Sequence, residues 1–417
     1  MNTKQEKWKP VYAISPKIAR ALMEIEAAKA VVESMPLSPT VESELRHKAR
    51  VRSTHYSTRI EGNKLTLKEA QEVIEKKKTH FHGRERDVSE VRNYWDALLK
   101  VEDWASQKVE WSEDLIKRLH ALVEKGKRAK PTPYRSGQNV IRDSASGGIV
   151  YLPPEAKDVP RLMAAMVHWA RSAKKEGIPV PIVAALVHYQ FVMIHPYYDG
   201  NGRTARLLAT FILQRSDYGL HGFFSMEEHH AKDLAGYYHS LATHQHHNYY
   251  HGRAGADLTS WVEYFVVLCA RVFTQAKEEA VKYAEKGIPA EPEKLRLLDR
   301  RARAVLSLFS RKDAITAQDA SVALGLSSRM VRILLKKWTQ DGWLVVADAS
   351  NRGRSYVLSA IYRQSIRQID NPKHGGAHGA FGEHFDYAQA ISQRQKIFVW
   401  GVWRHRIGLA IEGVPPC

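Results

Sequence analysis

The segment His195–Arg206, with the sequence H-P-Y-Y-D-G-N-G-R-T-A-R, constrains the fold of this chain more than any other. It follows Val183–Ile194, where apolar residues are spaced along one face of a helix. His195-Pro196 is predicted to end that helix, because the residue before a proline is driven out of helical geometry. Gly200-Asn201-Gly202 then turns the backbone into the start of a second helix.

This arrangement favours chemistry on a polyphosphate. Successive N–H groups in the glycine turn, at the start of a helix, form an anion site. Arg203 and Arg206 lie three residues apart and therefore share one side of the helix. Asp199 can hold Mg²⁺ between phosphate oxygens, and His195 is the group best placed as a general base. Each residue alone would fit an ordinary surface turn, but their combination at this spacing favours the site.

The segment resembles the signature of the Fic family, H-x-F-x-[DE]-G-N-G-R-x-x-R. Seven positions agree, namely His195, Asp199, Gly200, Asn201, Gly202, Arg203 and Arg206. The difference is Tyr197, where the family usually has phenylalanine in a packed position, so the tyrosine hydroxyl needs a partner there. The resemblance extends over Ile18–Tyr283.

The resemblance implies a protein adenylyltransferase, which transfers AMP from ATP to a Ser, Thr or Tyr hydroxyl of a target protein or of the chain itself. His195 would deprotonate the hydroxyl, Asp199 would bind Mg²⁺, and Arg206 would bind the terminal phosphate. Tyr237 would lie near the adenine. The remaining phosphate contacts would come from Gly200, Asn201, Gly202 and Arg203.

A second motif, Ser57–Asn63, resembles the inhibitory sequence [ST]-x-x-x-E-[GN] of Fic proteins. The resemblance implies that Glu61 pairs with Arg206, so that ATP binds unproductively. An Arg–carboxylate pair is strong and often bidentate. In some family members the same glutamate aligns water and the site removes AMP, and the sequence leaves this alternative, a de-AMPylating hydrolase, open.

The expected fold is mainly α, a Fic-type helical bundle with a β-hairpin flap plus a small winged-helix (α+β) domain. We expect an N-terminal helical region at 1–110, whose inhibitory helix spans about 40–63, and a Fic catalytic domain at 111–286. The winged helix is expected at 294–367. Residues 370–417 form a tail of unassigned structure.

The flap is predicted in Lys130–Pro154, which contains four prolines and two short apolar stretches, Asn139–Arg142 and Ile149–Leu152. In Fic proteins such a hairpin lines the site and pairs with the backbone of the target. Strand addition of this kind gives affinity without demanding a particular target sequence.

The winged-helix pattern consists of three helices and two strands joined by a basic turn. Residues 294–369 carry 15 basic and 5 acidic side chains, which favours binding to the DNA backbone. The candidate contacts are Arg329, Arg332, Lys336, Arg352 and Arg354. Winged helices also dock proteins, so a DNA-binding regulator with a switch-like Fic domain is an alternative function.

The whole chain has a formal net charge of +18, which favours polyanionic partners. Its two cysteines exclude a disulfide framework and indicate a reduced compartment. We expect a cytoplasmic protein without a membrane span, and the oligomeric state, a homodimer included, stays open. Trp261 is predicted to lie in the core. A group of histidines is predicted to be solvated rather than metal-binding: His229, His230, His239, His244, His246, His247 and His251.

Overall fold

The computed structural model describes residues 8–35, 37, 39–77, 80–127, 130–142, 147–173, 175–285, 298–310, 312–350 and 354–363. These residues are mainly helical and form two compact units. Among the described residues, the larger unit contains Glu44–Val281 and the N-terminal stretch before Pro36, and the smaller contains Pro36–Ser43 and the residues that follow Val281. Arg352 and the predicted tail at 370–417 lie outside the described residues.

The first two helices are α1, Pro16–Ser34, and α2, Pro39–Ile60. Ser15 caps α1, since its Oγ accepts the N–H of Ile18 at 3.2 Å. Threonine is a favoured helix cap, so the sequence predicts that α2 begins after Thr40. The helix begins instead at Pro39, because proline is well suited to the first helical position.

Three further helices precede the flap: α3, Leu67–Ile74; α4, Glu85–Ser106; and α5, Glu113–Lys125. Thr66 and Glu69 lie three residues apart, which predicts a capping box at the start of α3. The structure confirms it, because the Thr66 side chain accepts the Glu69 N–H while the Glu69 carboxylate accepts the Thr66 N–H.

The flap is a two-stranded antiparallel hairpin of β1, Ile141–Arg142, and β2, Ile149–Tyr151. Ile141 pairs with Tyr151 and Arg142 with Ile149. Both strands are shorter than predicted, yet Ile141 and Tyr151 are buried while Ile149 is 43% exposed. One face of the hairpin therefore packs against the rest of the protein, and the other face is exposed to solvent.

The centre of the larger unit is formed by α6, Val159–Ala173; α7, Val180–Ile194; and α8, Asn201–Arg215. Every residue of α7 after the first is buried, because α6 and α8 pack against it. A helix enclosed in this way needs apolar residues on all its faces, which explains its sequence. The other side of α8 packs against α4 and α5.

The sequence pattern predicts one helix over Met226–Thr243. The structure has two short helices there, α9, Met226–Lys232, and α10, Leu234–Leu241. The break occurs at Asp233, whose side chain accepts the Gly236 N–H at 3.0 Å and caps α10. The long helix α11, Thr259–Glu285, follows.

The smaller unit has its own hydrophobic core beneath three helices and a sheet. The helices are α12, Arg300–Leu306; α13, Ala317–Leu324; and α14, Ser328–Gln340. The strands β3, Ile315–Thr316, β4, Leu344–Asp348, and β5, Ser355–Leu358, form an antiparallel sheet in the order β3-β5-β4. Val331, Leu335 and Trp338 of α14 are fully buried, as the helical spacing predicts.

In the part of the chain that the structure describes, no helix combines the length and the apolar character that crossing a bilayer requires.

Candidate active site

The loop between α7 and α8 is held in shape by its own residues. His195 ends α7 in the left-handed region, with φ +50°, and Gly200 starts α8 with φ +74°. The Asn201 side chain accepts the N–H of Tyr197 at 3.0 Å and donates to the Tyr197 carbonyl at 2.8 Å. The asparagine of the signature therefore fixes the loop, while the N-terminal N–H groups of α8 remain directed toward the site.

His195 is oriented for proton transfer. The side chain is 3% exposed, and its Nδ1 lies 3.3 Å from the carbonyl oxygen of Val192. A carbonyl oxygen only accepts, so Nδ1 carries the proton in this contact. In the neutral ring Nε2 is then the basic nitrogen, which is the requirement for a general base.

The Arg206 guanidinium is hydrogen-bonded to residues of α2 and of the turn after it. Its Nη2 lies 2.9 Å from Glu61 Oε1 and donates to the Ser57 carbonyl, while its Nε donates to Ser57 Oγ at 2.9 Å. Burial is the largest single influence and opposes the charge on Arg206, but Glu61, Tyr237 and Tyr94 together outweigh it and raise the pKa of the guanidinium. The structure thus brings together the two residues that the inhibitory motif predicts to pair.

The Glu61 carboxylate also lies over the first turn of α8. A Cβ placed on Gly202 would come within 2.2 Å of Glu61 Oε1, so only glycine permits this approach. The carboxylate therefore occupies the position beside the helix N-terminus that an anionic group of a ligand would take.

Arg203 faces a set of acidic side chains on the opposite side of the loop. Its Nη2 lies 2.9 Å from Glu124 Oε1 and 3.4 Å from Asp199 Oδ1, and Glu90 is 4.0 Å from Nη1. Burial raises the pKa of Glu124 to about 7, although the adjacent guanidinium opposes that shift. The buried Nε of Arg203 has no hydrogen-bond partner among the described residues, so one donor in the site is available for an anion.

Asp199 is placed to hold a metal ion together with substrate oxygens. Its Oδ1 accepts the Gly200 N–H, and its Oδ2 lies 3.5 Å from Arg86 Nη2. One carboxylate completed by phosphates and water is the ligand set that Mg²⁺ prefers. The donor atoms present are compatible with the Mg²⁺ that the resemblance implies.

The ring of Tyr197 is packed as the family pattern requires. It is 2% exposed and stacks on His120, with ring centroids 3.6 Å apart. Its hydroxyl has no hydrogen-bond partner among the described residues, so the expected partner is not found there. His120 Nε2 lies 2.8 Å from the Asp199 carbonyl, and this histidine thereby supports the signature loop.

Arg135, at the base of the flap, is a residue that sequence analysis missed. It is 3% exposed, and its Nε donates to the His195 carbonyl at 2.9 Å, its Nη1 to the Gly137 carbonyl, and its Nη2 to the Pro154 carbonyl. Its backbone N–H donates to the Pro196 carbonyl at 2.9 Å. One buried guanidinium thus joins both ends of the flap to the residue predicted as the base.

Two more missed residues, His120 and Glu124, lie four apart on α5. That spacing places both on the helix face toward the signature loop, and it is the one signal that could have drawn attention to them. Arg135 had no such signal, because nothing distinguishes it from the other basic residues of the chain.

Tyr237 lies in a buried aromatic cluster around His188. The residue is 2% exposed, its hydroxyl is 3.1 Å from His188 Nε2, and its ring lies 5.2 Å from that of Tyr238. Trp261 is fully buried there and donates to the Ala185 carbonyl, so its prediction as a core residue is confirmed. The prediction that the histidines are solvated is wrong for His230, which the same cluster buries.

In the smaller unit the predicted DNA contacts in the described residues are exposed: Arg329, Arg332 and Lys336 on α14, and Arg354 before β5. The same helix exposes two apolar side chains, Met330 at 40% and Ile333 at 56%. Both a polyanion and a protein could therefore contact this surface.

Comparison with known sequences places the signature loop inside a recognised domain. Residues 110–213 match the model of the Fic/DOC family. A protein adenylyltransferase Fic of Nematostella vectensis is 32% identical over 166 residues, which are 39% of this chain and 37% of the relative. One from Drosophila grimshawi is 32% identical over 165 residues, 39% of this chain and 33% of the relative. This chain therefore spans well under half the length of these curated relatives.

Solved structures agree on the fold. A crystal structure of a Fic family protein from Desulfovibrio desulfuricans is 26% identical with a TM-score of 0.53, covering 85% of this chain and 99% of that one. A Fic domain-containing signalling protein from Bacteroides thetaiotaomicron shows the same fold. It is 22% identical with a TM-score of 0.52, and the match covers 65% of this chain and 98% of that protein's chain. By sequence match and shared fold, residues 110–213 are therefore similar to a Fic/DOC family domain.

Proposed function

We propose that this chain is a protein adenylyltransferase that transfers AMP from ATP to a Ser, Thr or Tyr hydroxyl of a target protein or of itself, and that Glu61 holds it inactive. The observation that carries the proposal is the position of Glu61, 2.9 Å from Arg206 and directly over Gly202 in the signature loop. The curated relatives named protein adenylyltransferase Fic support the chemistry.

His195 is the group that moves the proton. Nε2 accepts the proton of the target hydroxyl, and the hydroxyl oxygen attacks the α-phosphorus of ATP. The bond from that phosphorus to the bridging oxygen breaks, and pyrophosphate leaves. A positioned general base contributes about 10²–10⁴-fold to such a step.

Arg203 and the N–H groups at the start of α8 bind the phosphates and stabilise the charge that develops on them. Asp199 would hold Mg²⁺, which neutralises phosphate charge when bound. Arg206 would bind the terminal phosphate, but in this structure its guanidinium is committed to Ser57 and Glu61. Removal of that carboxylate frees the arginine for ATP.

The test is an autolabelling assay with ATP radiolabelled at the α-phosphate, in Mg²⁺ buffer. We expect Glu61→Gly to take up more label than the wild type, and the Glu61→Gly/His195→Ala double variant to take up none. Glu75→Gly is a matched control, since Glu75 also follows the last residue of a helix but lies at the end of α3. Equal labelling and equal ATP affinity in the wild type and Glu61→Gly would refute the inhibitory role.

A second candidate, removal of AMP by the same site, is favoured by the Glu61 carboxylate lying inside the site, where it could align a water molecule. Autolabelled Glu61→Gly protein serves as the substrate and is mixed with unlabelled wild type. Loss of label that requires Glu61 of the added protein would establish the hydrolase, whereas stable label supports transfer as the main activity.

Binding of DNA through the exposed arginines of α14 remains a proposal for the smaller unit. It rests on the net positive charge of residues 294–369 and on the exposure of Arg329 and Arg332. Two cysteines in 417 residues support the cytoplasm as the compartment.

A further inference from the structure

The loop between α3 and α4 places three side chains of metal-binding type together. The ligand atoms of His80, His82 and Glu85 all lie within 4.8 Å of one another, and His80 Nε2 is 3.8 Å from Glu85 Oε1. All three residues are exposed, so an ion from solution can reach them. The group is separate from the signature loop and from the histidines around residues 229–251.

The backbone of this loop is anchored by the residue between the two histidines. Phe81 is 5% exposed and packs in a small core with Leu65, Val73, Val88 and Val91. Gly83 then turns the chain with φ +71°, and its N–H donates to Glu85 Oε1 at 3.2 Å. Burial of Phe81 fixes the main chain from which His80 and His82 extend into solvent, so their approach to one another costs little conformational entropy.

Arg84, which directly precedes Glu85 in the chain, is paired with residues outside the group. Arg84 lies 3.2 Å from Glu69 Oε2 and also donates to the Lys64 carbonyl. Its charge is thereby balanced by the capping box of α3. Glu85 belongs to the first turn of α4, where the helix dipole disfavours a nearby cation. Coordination of zinc by two imidazoles and a carboxylate outweighs this unfavourable interaction with the helix dipole.

We propose that His80, His82 and Glu85 form a binding site for a divalent transition-metal ion, zinc in the first place, with water as the fourth ligand. Imidazole and carboxylate are zinc ligands at about 2.0–2.2 Å, which sets ligand atoms about 3.3 Å apart around a tetrahedral ion. The 3.8 Å between His80 Nε2 and Glu85 Oε1 is close to that spacing, and exposed side chains can close the remainder by small rotations.

A bound ion would restrain the first turn of α4 next to the candidate active site. The residue after Glu85 is Arg86, whose Nη2 lies 3.5 Å from Asp199 Oδ2 and whose Nε donates to Glu90 at 2.8 Å. The metal site and the signature loop are thus joined through one short segment. Zinc binding itself does not depend on whether the proposed transfer of AMP is correct.

The experiment measures zinc bound by the untagged full-length chain after treatment with EDTA and dialysis. Isothermal titration with zinc chloride gives the number of equivalents and the affinity for the wild type, His80→Ala/His82→Ala and Glu85→Gln. We expect the double variant to lose one equivalent and Glu85→Gln to bind about tenfold more weakly. His246→Ala/His251→Ala is the matched control, since those two rings also lie together, with centroids 5.2 Å apart.

Cobalt substitution gives an independent readout, because tetrahedral Co²⁺ bound to imidazole absorbs visible light. The band should be present in the wild type and in the control variant, and absent from His80→Ala/His82→Ala. Equal zinc equivalents and affinities in the wild type and this variant would overturn the proposal, as would loss of the same equivalent from the control. Circular dichroism checks that each variant is folded.

Discussion

The signature loop and the smaller unit both depend on arginine, but in opposite environments. Arg203 and Arg206 are each 2% exposed, and each lies 2.9 Å from a glutamate. Arg329 and Arg332 are exposed on α14. Buried charges are fixed in direction and must be paired, whereas exposed charges are mobile and screened by salt. One residue type therefore suits local chemistry in the first region and would suit long-range attraction of a polyanion in the second.

This contrast predicts large effects of substitution in the signature loop and its supports, and small effects in the smaller unit. The largest should follow His195→Ala. We expect the rate of transfer, measured in the Glu61→Gly background, to fall by about 10²–10⁴-fold, because the general base is lost. His239→Ala, an exposed histidine on α10, is the control. A fall of less than about tenfold would remove His195 from the role of base.

Arg135→Ala should have the next largest effect, although Arg135 belongs to no recognised motif. Three carbonyls lose their side-chain donor, the His195 carbonyl among them, while the Arg135 backbone N–H still joins the flap to the segment that follows His195. We expect kcat to fall by about 10–10²-fold with little change in the KM for ATP, since the base is displaced while the phosphate site is intact.

Arg135→Lys sharpens this test. Lysine keeps the charge but cannot reach three carbonyls in fixed directions, so its rate should lie between those of the wild type and Arg135→Ala. A parallel loss of kcat and thermal stability in both variants, with no difference between lysine and alanine, would show a purely structural role.

A smaller effect is expected on the free energy of unfolding as the pH changes, and it again differs between buried and exposed groups. Burial lowers the pKa of His188 from its ordinary 6.5 to about 3. Below pH 6.5 the unfolded chain takes up a proton that the folded chain does not, so the stability from this residue is lost as the pH falls from 6.5 toward 3. The loss is about 1.4 kcal/mol per pH unit, or about 2 kcal/mol at pH 5.

The measurement is the free energy of unfolding by urea at about pH 7.5 and at about pH 5, for the wild type and His188→Gln. The difference between the two pH values should be smaller in the variant, and His239→Gln should leave it unchanged. An identical difference in wild type and His188→Gln would show that His188 is not buried in its neutral form.

The smallest effect is expected from Arg329→Glu/Arg332→Glu in α14. Transfer of AMP should not change, while the affinity for duplex DNA should fall and the slope of its salt dependence should decrease by about 2, one for each lost phosphate contact. Arg20→Glu/Arg118→Glu, exposed in the larger unit, is the control. An unchanged slope would leave protein docking as the function of this surface.

Local sequence patterns predicted the features that depend on neighbours along the chain. The capping box of Thr66 and Glu69 and the helix end at His195-Pro196 occur where expected. The sequence pattern did not predict the helix break at Asp233. The helical pattern is otherwise continuous there, and a single aspartate that caps the next helix is a weak signal against it.

The sequence by itself determined the signature loop, because proline, glycine and asparagine restrict the backbone over a few residues, whatever surrounds them. It also indicated that Glu61 and Arg206 belong together. Only the tertiary structure decided that Arg135, His120 and Glu124 support the loop and that His230 is buried. Those contacts join residues far apart in the chain. Burial is a property of the packed fold, and a buried polar group is stable only when it is hydrogen-bonded or paired.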